Sequence, residues 1–191
     1  MNRQEIQNNE LEFKKIVNEN IHRYGIDGLM SWLDSTDFFT APASTKYHGA
    51  EPGGLCAHSL SVYKCLKAKQ DSESDESIAI TALFHDLCKV NFFKLSTRNT
   101  KDENGKWVTV PCFTINEDEE LPVGHGEKSV IILMKYMNLT DEEICSVRWH
   151  MGFSVVEQMF EKPSMSKALS KYKLVLKLQV ADQESSFWSN I

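Results

Sequence analysis

The chain has 191 residues, of which 41% are hydrophobic and 25% charged, and its formal net charge is −6. That length is enough for one domain with a full core and no need of disulfides. The acidic balance argues against a general nucleic-acid-binding surface, which needs cations to displace phosphate counterions. It leaves a small phosphorylated substrate open, because bound metal ions would make a site locally positive.

Cys56, Cys65, Cys88, Cys112 and Cys145 are odd in number, and no pair has the spacing of a zinc ribbon or redox motif. They read as reduced thiols of a cytoplasmic protein. The polar N-terminus is unlike a signal peptide, and no apolar run is long enough to span a membrane.

In chain order, residues 4–24 predict an amphipathic helix. Ile6, Leu11, Phe13, Ile16, Val17 and Ile21 recur at helical spacing, and Gly25 closes the element. A short helix is expected over 27–33. Residues 1–36 thus read as N-terminal helices packing on a core made by 37–191. Residues 35–54 carry turn and breaker signals around Tyr47-His48-Gly49. His48 is either a surface loop histidine or a histidine at the mouth of a pocket.

A helix is expected over 55–70, with His58 one turn in, followed by the acidic connector Asp71–Glu76. The next helix, 77–88, is nearly all apolar and should be central and buried. It carries the doublet His85-Asp86. Two polar groups at the end of such a helix are costly unless they are paired or metal-bound. Adjacent helical residues point about 100° apart, so the doublet reaches one ion only where the helix lies against a pocket.

The period changes over 92–115. Asn104-Gly105 is a tight-turn signal between strand-like flanks at 94–100 and 106–115, which predicts an inserted β-hairpin. The acidic run 117–120 reads as a solvated loop. A helix over 126–138 starts beside His125, which stands between two glycines. Thr140 and Glu143 form a capping-box pattern for a helix ending near Trp149 or His150, with Gly152 as a stop. A last helix is expected over 166–186, with Asp182 on the same face as its core leucines.

His58, His85, Asp86, His125, His150 and Asp182 all fall at helix ends or on buried helix faces. Four of the six histidines are among them. This constellation resembles the HD-domain superfamily of metal-dependent hydrolases. Its signature is a histidine, a His-Asp doublet and a distant aspartate on helices of an all-α bundle. The resemblance covers roughly residues 37–188. Gly53-Gly54-Leu55 before His58, His48 upstream and Gly124-His125 are similar to HD exoribonucleases of Gram-positive bacteria and HD domains attached to relaxases. Cys88 stands where the family often has glycine, so a small residue is kept. The chain has no counterpart of the exoribonucleases' OB domain, which favours a small substrate over RNA.

The resemblance implies an all-α, HD-type helical bundle with a β-hairpin inserted at about 92–115. It implies a first divalent metal on His58, His85, Asp86 and Asp182, and a second on His125, His150 and the other oxygen of Asp86. Mixed imidazole and carboxylate ligands suit Fe, Mn, Zn, Ni or Co. The implied activity is phosphomonoester or phosphodiester hydrolysis of a nucleotide or other small phosphoester by a metal-activated hydroxide. Asp86 and Lys89 would be catalytic. His48, Lys89 and Arg148 would contact substrate, with Lys94 and Arg98 as weaker candidates. Lys89 is one turn past Asp86, where it could donate to a phosphate oxygen or simply favour a helix C-terminus. Two other readings stay open. One is a di-iron oxygenase of the inositol-oxygenase type, and the other is a nucleotide-binding module without turnover.

Overall fold

The structure is a computed structural model that describes residues 1–116, 121–155 and 161–188. Its elements in chain order are α1 (Arg3–Asn20), α2 (Ile26–Asp34), α3 (Gly54–Lys67), α4 (Asp75–Phe84), β1 (Phe93–Lys101), β2 (Trp107–Ile115), α5 (His125–Met134), α6 (Asp141–Arg148), α7 (Glu161–Lys171) and α8 (Lys173–Phe187). Short 3-10 turns occupy Leu87–Lys89 and Gly152–Val155. The protein is therefore mostly helical with one small sheet. Among the described residues no helix is long and apolar enough to cross a membrane. The acidic run 117–120 lies outside the described residues.

Helix α4 is the centre of the bundle, as its composition requires. Every residue from Ile78 to Phe84 is buried. Helices α3, α6 and α1 pack against it, and α8 packs on α3 and α6. Phe13 of α1 joins Phe38 and Phe84 in an aromatic cluster, with ring centroids 5.1 and 5.6 Å from that of Phe13. The N-terminal helices thus share one apolar core with the residues that follow. A second patch of core, Val62, Leu66, Ile78, Leu174 and Leu178, joins α3, α4 and α8.

The expected capping box is present. The Thr140 hydroxyl accepts the Glu143 N–H, and the Glu143 carboxylate accepts the Thr140 N–H. Glu143 also does something its pattern does not announce. It is fully buried and takes a fork of hydrogen bonds from Arg23, at 2.6 and 3.0 Å, plus one from the Ser77 hydroxyl at 2.8 Å. One carboxylate thereby ties the α1–α2 connection and α4 to the start of α6.

The hairpin forms in the expected place. β1 and β2 pair antiparallel, with Phe93 opposite Ile115 and Lys101 opposite Trp107. Asp102 accepts the N–H groups of Asn104 and Lys106 at the turn, and Gly105 adopts a φ of 75°. Both ends of the hairpin lead into functional candidates, Lys89 on one side and His125 on the other.

Several element ends differ from expectation, three of them with consequences for packing or chemistry. α1 stops at Asn20, because Ile21 is already extended and buried in the core. The long C-terminal helix is two: Tyr172 is extended, at φ −129° and ψ 113°, and separates α7 from α8. Pro163 lies in the first turn of α7, where it breaks no helical hydrogen bond. The third change matters most for chemistry. α4 ends at Phe84, and Asp86 has left the helix with φ −106° and ψ 22°.

Candidate metal centre

That early end resolves the angular problem of the His-Asp doublet. His85 caps α4 with helical dihedrals, and Asp86 sits in the bridge region of backbone space, common for active-site residues. The two side chains can then face the same space. The exit from α6 repeats the device: Trp149 has φ −107° and ψ 13°, and His150 follows it.

The two histidines are locked in the same way. His85 Nδ1 lies 2.8 Å from the carbonyl of Ala82, and His150 Nδ1 lies 2.7 Å from that of Val147. A carbonyl only accepts, so each Nδ1 donates, and it is Nε2 of each ring that is turned toward the cluster as the possible ligand atom. This is the usual arrangement of a metal-ligating histidine. His58 comes from α3, where its Nδ1 meets the Ser185 hydroxyl of α8 at 3.1 Å. His125 opens α5. Gly126 lets that helix start press against α6, for a Cβ there would collide with the Arg148 carbonyl. The His125 and His150 rings come within 5.1 Å as a result.

All six expected ligands converge. His58 Nε2 is 3.0 Å from Asp182 Oδ1, 3.3 Å from His85 Nε2 and 3.7 Å from Asp86 Oδ2. His85 Nε2 is 3.4 Å from Asp86 Oδ2 and 3.9 Å from Asp182 Oδ1. Ligands about 2.0–2.1 Å from a tetrahedral metal stand about 3.3–3.4 Å from each other, which is the middle of this range. The other Asp86 oxygen faces away from this group. Oδ1 is 2.9 Å from His125 Nε2 and 3.5 Å from His150 Nε2. His150 is buried, and among the described residues its Nε2 has no partner at hydrogen-bonding geometry, the nearest carboxylate oxygen being Asp86 Oδ1 at 3.5 Å. A buried, unpartnered imidazole nitrogen aimed at a carboxylate is costly without a cation to bind.

Among the described residues, three triads bring ligand atoms within 4.8 Å of one another: His58–His85–Asp86, His85–His150–Asp182 and Asp86–Cys88–His125. The second crosses the expected division between two metals, so the donors form one continuous cluster. The third includes Cys88, which sequence reasoning took only as a small residue. Its Sγ is 3.2 Å from His125 Nδ1 and 3.6 Å from His125 Nε2.

Charge in the cluster is fixed by its neighbours. Burial alone would raise the pKa of Asp86, but the Lys89 ammonium, His85 and His125 hold it well below the usual carboxylate range. Burial also acts against ionised Asp182, and the hydrogen bond from His58 with the nearby His85 outweighs it. Burial lowers the pKa of His58, which keeps it neutral and able to ligate. Lys89 Nζ sits 2.6 Å from Asp86 Oδ2, and that carboxylate overrides the effect of burial and keeps the lysine charged. Lys89 is thus an inward-facing cation rather than a surface lysine.

The remaining candidates are placed as follows. His48 lies beside His58, with ring centroids 5.0 Å apart, and its Nε2 meets the Ser186 hydroxyl at 3.1 Å. Both histidines line a cleft of about 300 Å³ together with Gly54, Ala57, Ser61 and Ser185. The cleft reaches no other member of the cluster. Arg148 is engaged elsewhere: it pairs with Glu127 and with Glu161 at 2.8 Å and stacks on Trp149 at 3.8 Å. Lys94 and Arg98 are exposed on β1. Sequence reasoning missed Ser185 and Ser186, neighbours in the last turn of α8 whose hydroxyls meet His58 and His48, distant from them in sequence.

No family model, curated protein or solved structure matches this chain.

Proposed function

We propose that the protein is a metal-dependent phosphohydrolase of HD-domain type, acting on a nucleotide or another small phosphoester. The observation that carries this reading is the pair of oriented Nε2 atoms, of His85 and His150, on either side of the two Asp86 oxygens, with Lys89 against one of them. Two divalent ions from the set Fe, Mn, Zn, Ni and Co would fit. His58, His85, Asp182 and Asp86 Oδ2 would hold one, and His125, His150 and Asp86 Oδ1 the other. Such ions supply a water acidified toward neutrality and Lewis-acid polarisation of a phosphoryl oxygen.

The chain's own residues support the rest of the chemistry. Asp86 and Asp182 stay ionised under their cationic and imidazole neighbours, so the cluster keeps a negative charge that attracts cations. Lys89 is charged and fixed by its carboxylate partner, poised to donate a hydrogen bond to a phosphate oxygen as negative charge builds up. His48, beside His58 at the cleft, would contact the substrate. Arg148 drops in rank as a substrate contact, because two carboxylates and an indole already hold it. The free thiols fit a cytoplasmic location.

The test is turnover of a generic phosphodiester and a panel of nucleotides by metal-loaded protein, with phosphate or alcohol release as the readout. Release that disappears in Asp86→Ala supports the reading. Two bound irons with oxygen consumption and no ester hydrolysis would replace it with the oxygenase.

A further inference from the structure

Helix α8 grips the ring of His58 at both nitrogens. Asp182 Oδ1 lies 3.0 Å from Nε2, and the Ser185 hydroxyl lies 3.1 Å from Nδ1. The two α8 residues are three apart, so they share one face of the helix. Asp182, Ser185 and His58 are all buried.

These contacts fix where the ring proton sits before a metal binds. Asp182 is held ionised, so its oxygen only accepts and Nε2 must donate. Burial keeps the ring neutral, with a single proton. Nδ1 is then bare, and the Ser185 O–H donates to it. A histidine that ligates a metal through Nε2 has the opposite form, with its proton on Nδ1 and a partner there to accept it. His85 and His150 face carbonyls at Nδ1, which only accept. His58 faces a hydroxyl, which donates or accepts by turning about its own bond.

We propose that Ser185 is a positioning residue that lets His58 exchange its Nε2 proton for the first metal. Its hydroxyl donates to Nδ1 while Asp182 holds the Nε2 proton, and it turns to accept from Nδ1 once Nε2 is bound to metal. The proposal rests on the metal-centre reading and adds what happens at this ring when the ion enters. The Nε2–H bond breaks, the Nε2–metal bond forms, and a proton ends on Nδ1. His58 stays neutral, and the number of protons on it does not change. His58 and Ser185 both line the cleft of about 300 Å³, which brings water to this side of the ring as the carrier of the proton. A carbonyl in place of the hydroxyl would oppose the metal-free form. An alanine would leave Nδ1 buried without a partner in either form.

The experiment is long-range proton–nitrogen NMR of the full chain labelled with ¹⁵N-histidine, metal-free and zinc-loaded, with zinc content measured on the same samples. His58 is assigned by sequential backbone connectivities. The expected result is a proton on Nε2 in metal-free protein that is found on Nδ1 after zinc loading. A metal-free His58 with its proton already on Nδ1 would overturn the proposal and leave the metal centre standing. Zinc-loaded protein in which His58 keeps the proton on Nε2 would overturn it too, and would remove His58 from the ligands. Protein that takes up no zinc would overturn both the exchange and the metal centre. Ser185→Ala should bind the first zinc roughly 10–100-fold more weakly, the loss typical of an outer-shell partner. Unchanged affinity in that variant would reject the positioning role. The wild-type spectra decide the other outcomes whether or not the variant folds.

Discussion

The Nε2 atoms of His58 and His85 lie 3.3 Å apart inside the bundle. His85 turns its Nε2 there, since its Nδ1–H is donated to the Ala82 carbonyl. His58 Nε2 is also 3.0 Å from Asp182 Oδ1. Two ring nitrogens and a carboxylate oxygen so close together need a positive centre between them, a proton or a metal. Because burial lowers the pKa of His58, a metal suits that place better than a retained proton at neutral pH.

Stoichiometry should separate the two carboxylates. Asp86→Ala removes an oxygen from both halves of the cluster and is expected to lose both metals and all hydrolysis. Asp182→Ala removes a ligand assigned to the first metal alone and is expected to keep one metal per chain. Elemental analysis of both variants checks this. Full metal content and activity in Asp86→Ala would remove the site from consideration.

Lys89→Met tests charge stabilisation apart from metal binding. Loss of one preorganised donor at a developing oxyanion costs about 10²–10³ in kcat. The expectation is that loss, with metal content kept at the wild-type level and KM little changed. A lysine that served only as the counterion of Asp86 would leave kcat intact in loaded enzyme.

Arg23→Ala leaves the Glu143 carboxylate buried without its main partner. Removal of one member of a buried pair typically costs about 3–5 kcal/mol. Here the Ser77 hydroxyl and Thr140 N–H still hold Glu143, so about 2–4 kcal/mol is expected. In a chain of this length that is a fall in Tm on the order of 10 °C. Thermal unfolding by circular dichroism measures it. A change within the experimental error would mean that the fork is not formed in solution.

Much of this was legible in sequence. The apolar run of α4 announced a central helix. Asn104-Gly105 announced the hairpin, and Thr140 with Glu143 announced the start of α6. The six candidate ligands were legible as polar residues that packing explains poorly, at helix ends or among core leucines. What remained hidden depends on exact backbone paths. Helix α4 ends at Phe84, four residues before the expected 88, so Asp86 lies outside it, and no residue type signals that exit. The α7–α8 break at Tyr172 lacks a glycine or proline to mark it. Cys88 read only as a small residue, because its contact with His125 comes from 37 residues away across the hairpin. The burial of Glu143 depends on Arg23, 120 residues away, whereas its capping box is local.

Acid should weaken the fold before it changes the secondary structure. Glu143 is held below its ordinary pKa because the hydrogen bonds from Arg23, Thr140 and Ser77 outweigh burial. Glu73 is held down to about 2, where the hydrogen bond from Lys177 and the Asp71 N–H outweigh burial. Carboxyls with a depressed folded pKa bind fewer protons than the unfolded chain does. Their stabilisation is therefore complete above the unfolded value of about 4.5 and is lost as pH falls through the folded values. Urea midpoints should be flat from pH 7 to about 5 and drop steeply between about 4.5 and 2. Lys177→Met should flatten part of that drop, and an unchanged profile would detach Glu73 from acid stability.

The most direct measurement is metal content by elemental analysis, on protein purified without chelators or a metal-affinity tag and then supplemented with zinc, manganese or cobalt. Two transition-metal ions per chain are predicted, falling to none in Asp86→Ala. Wild-type protein that stays metal-free after supplementation would show that the histidines and aspartates do not form a metal centre, and would contradict the phosphohydrolase reading at its base.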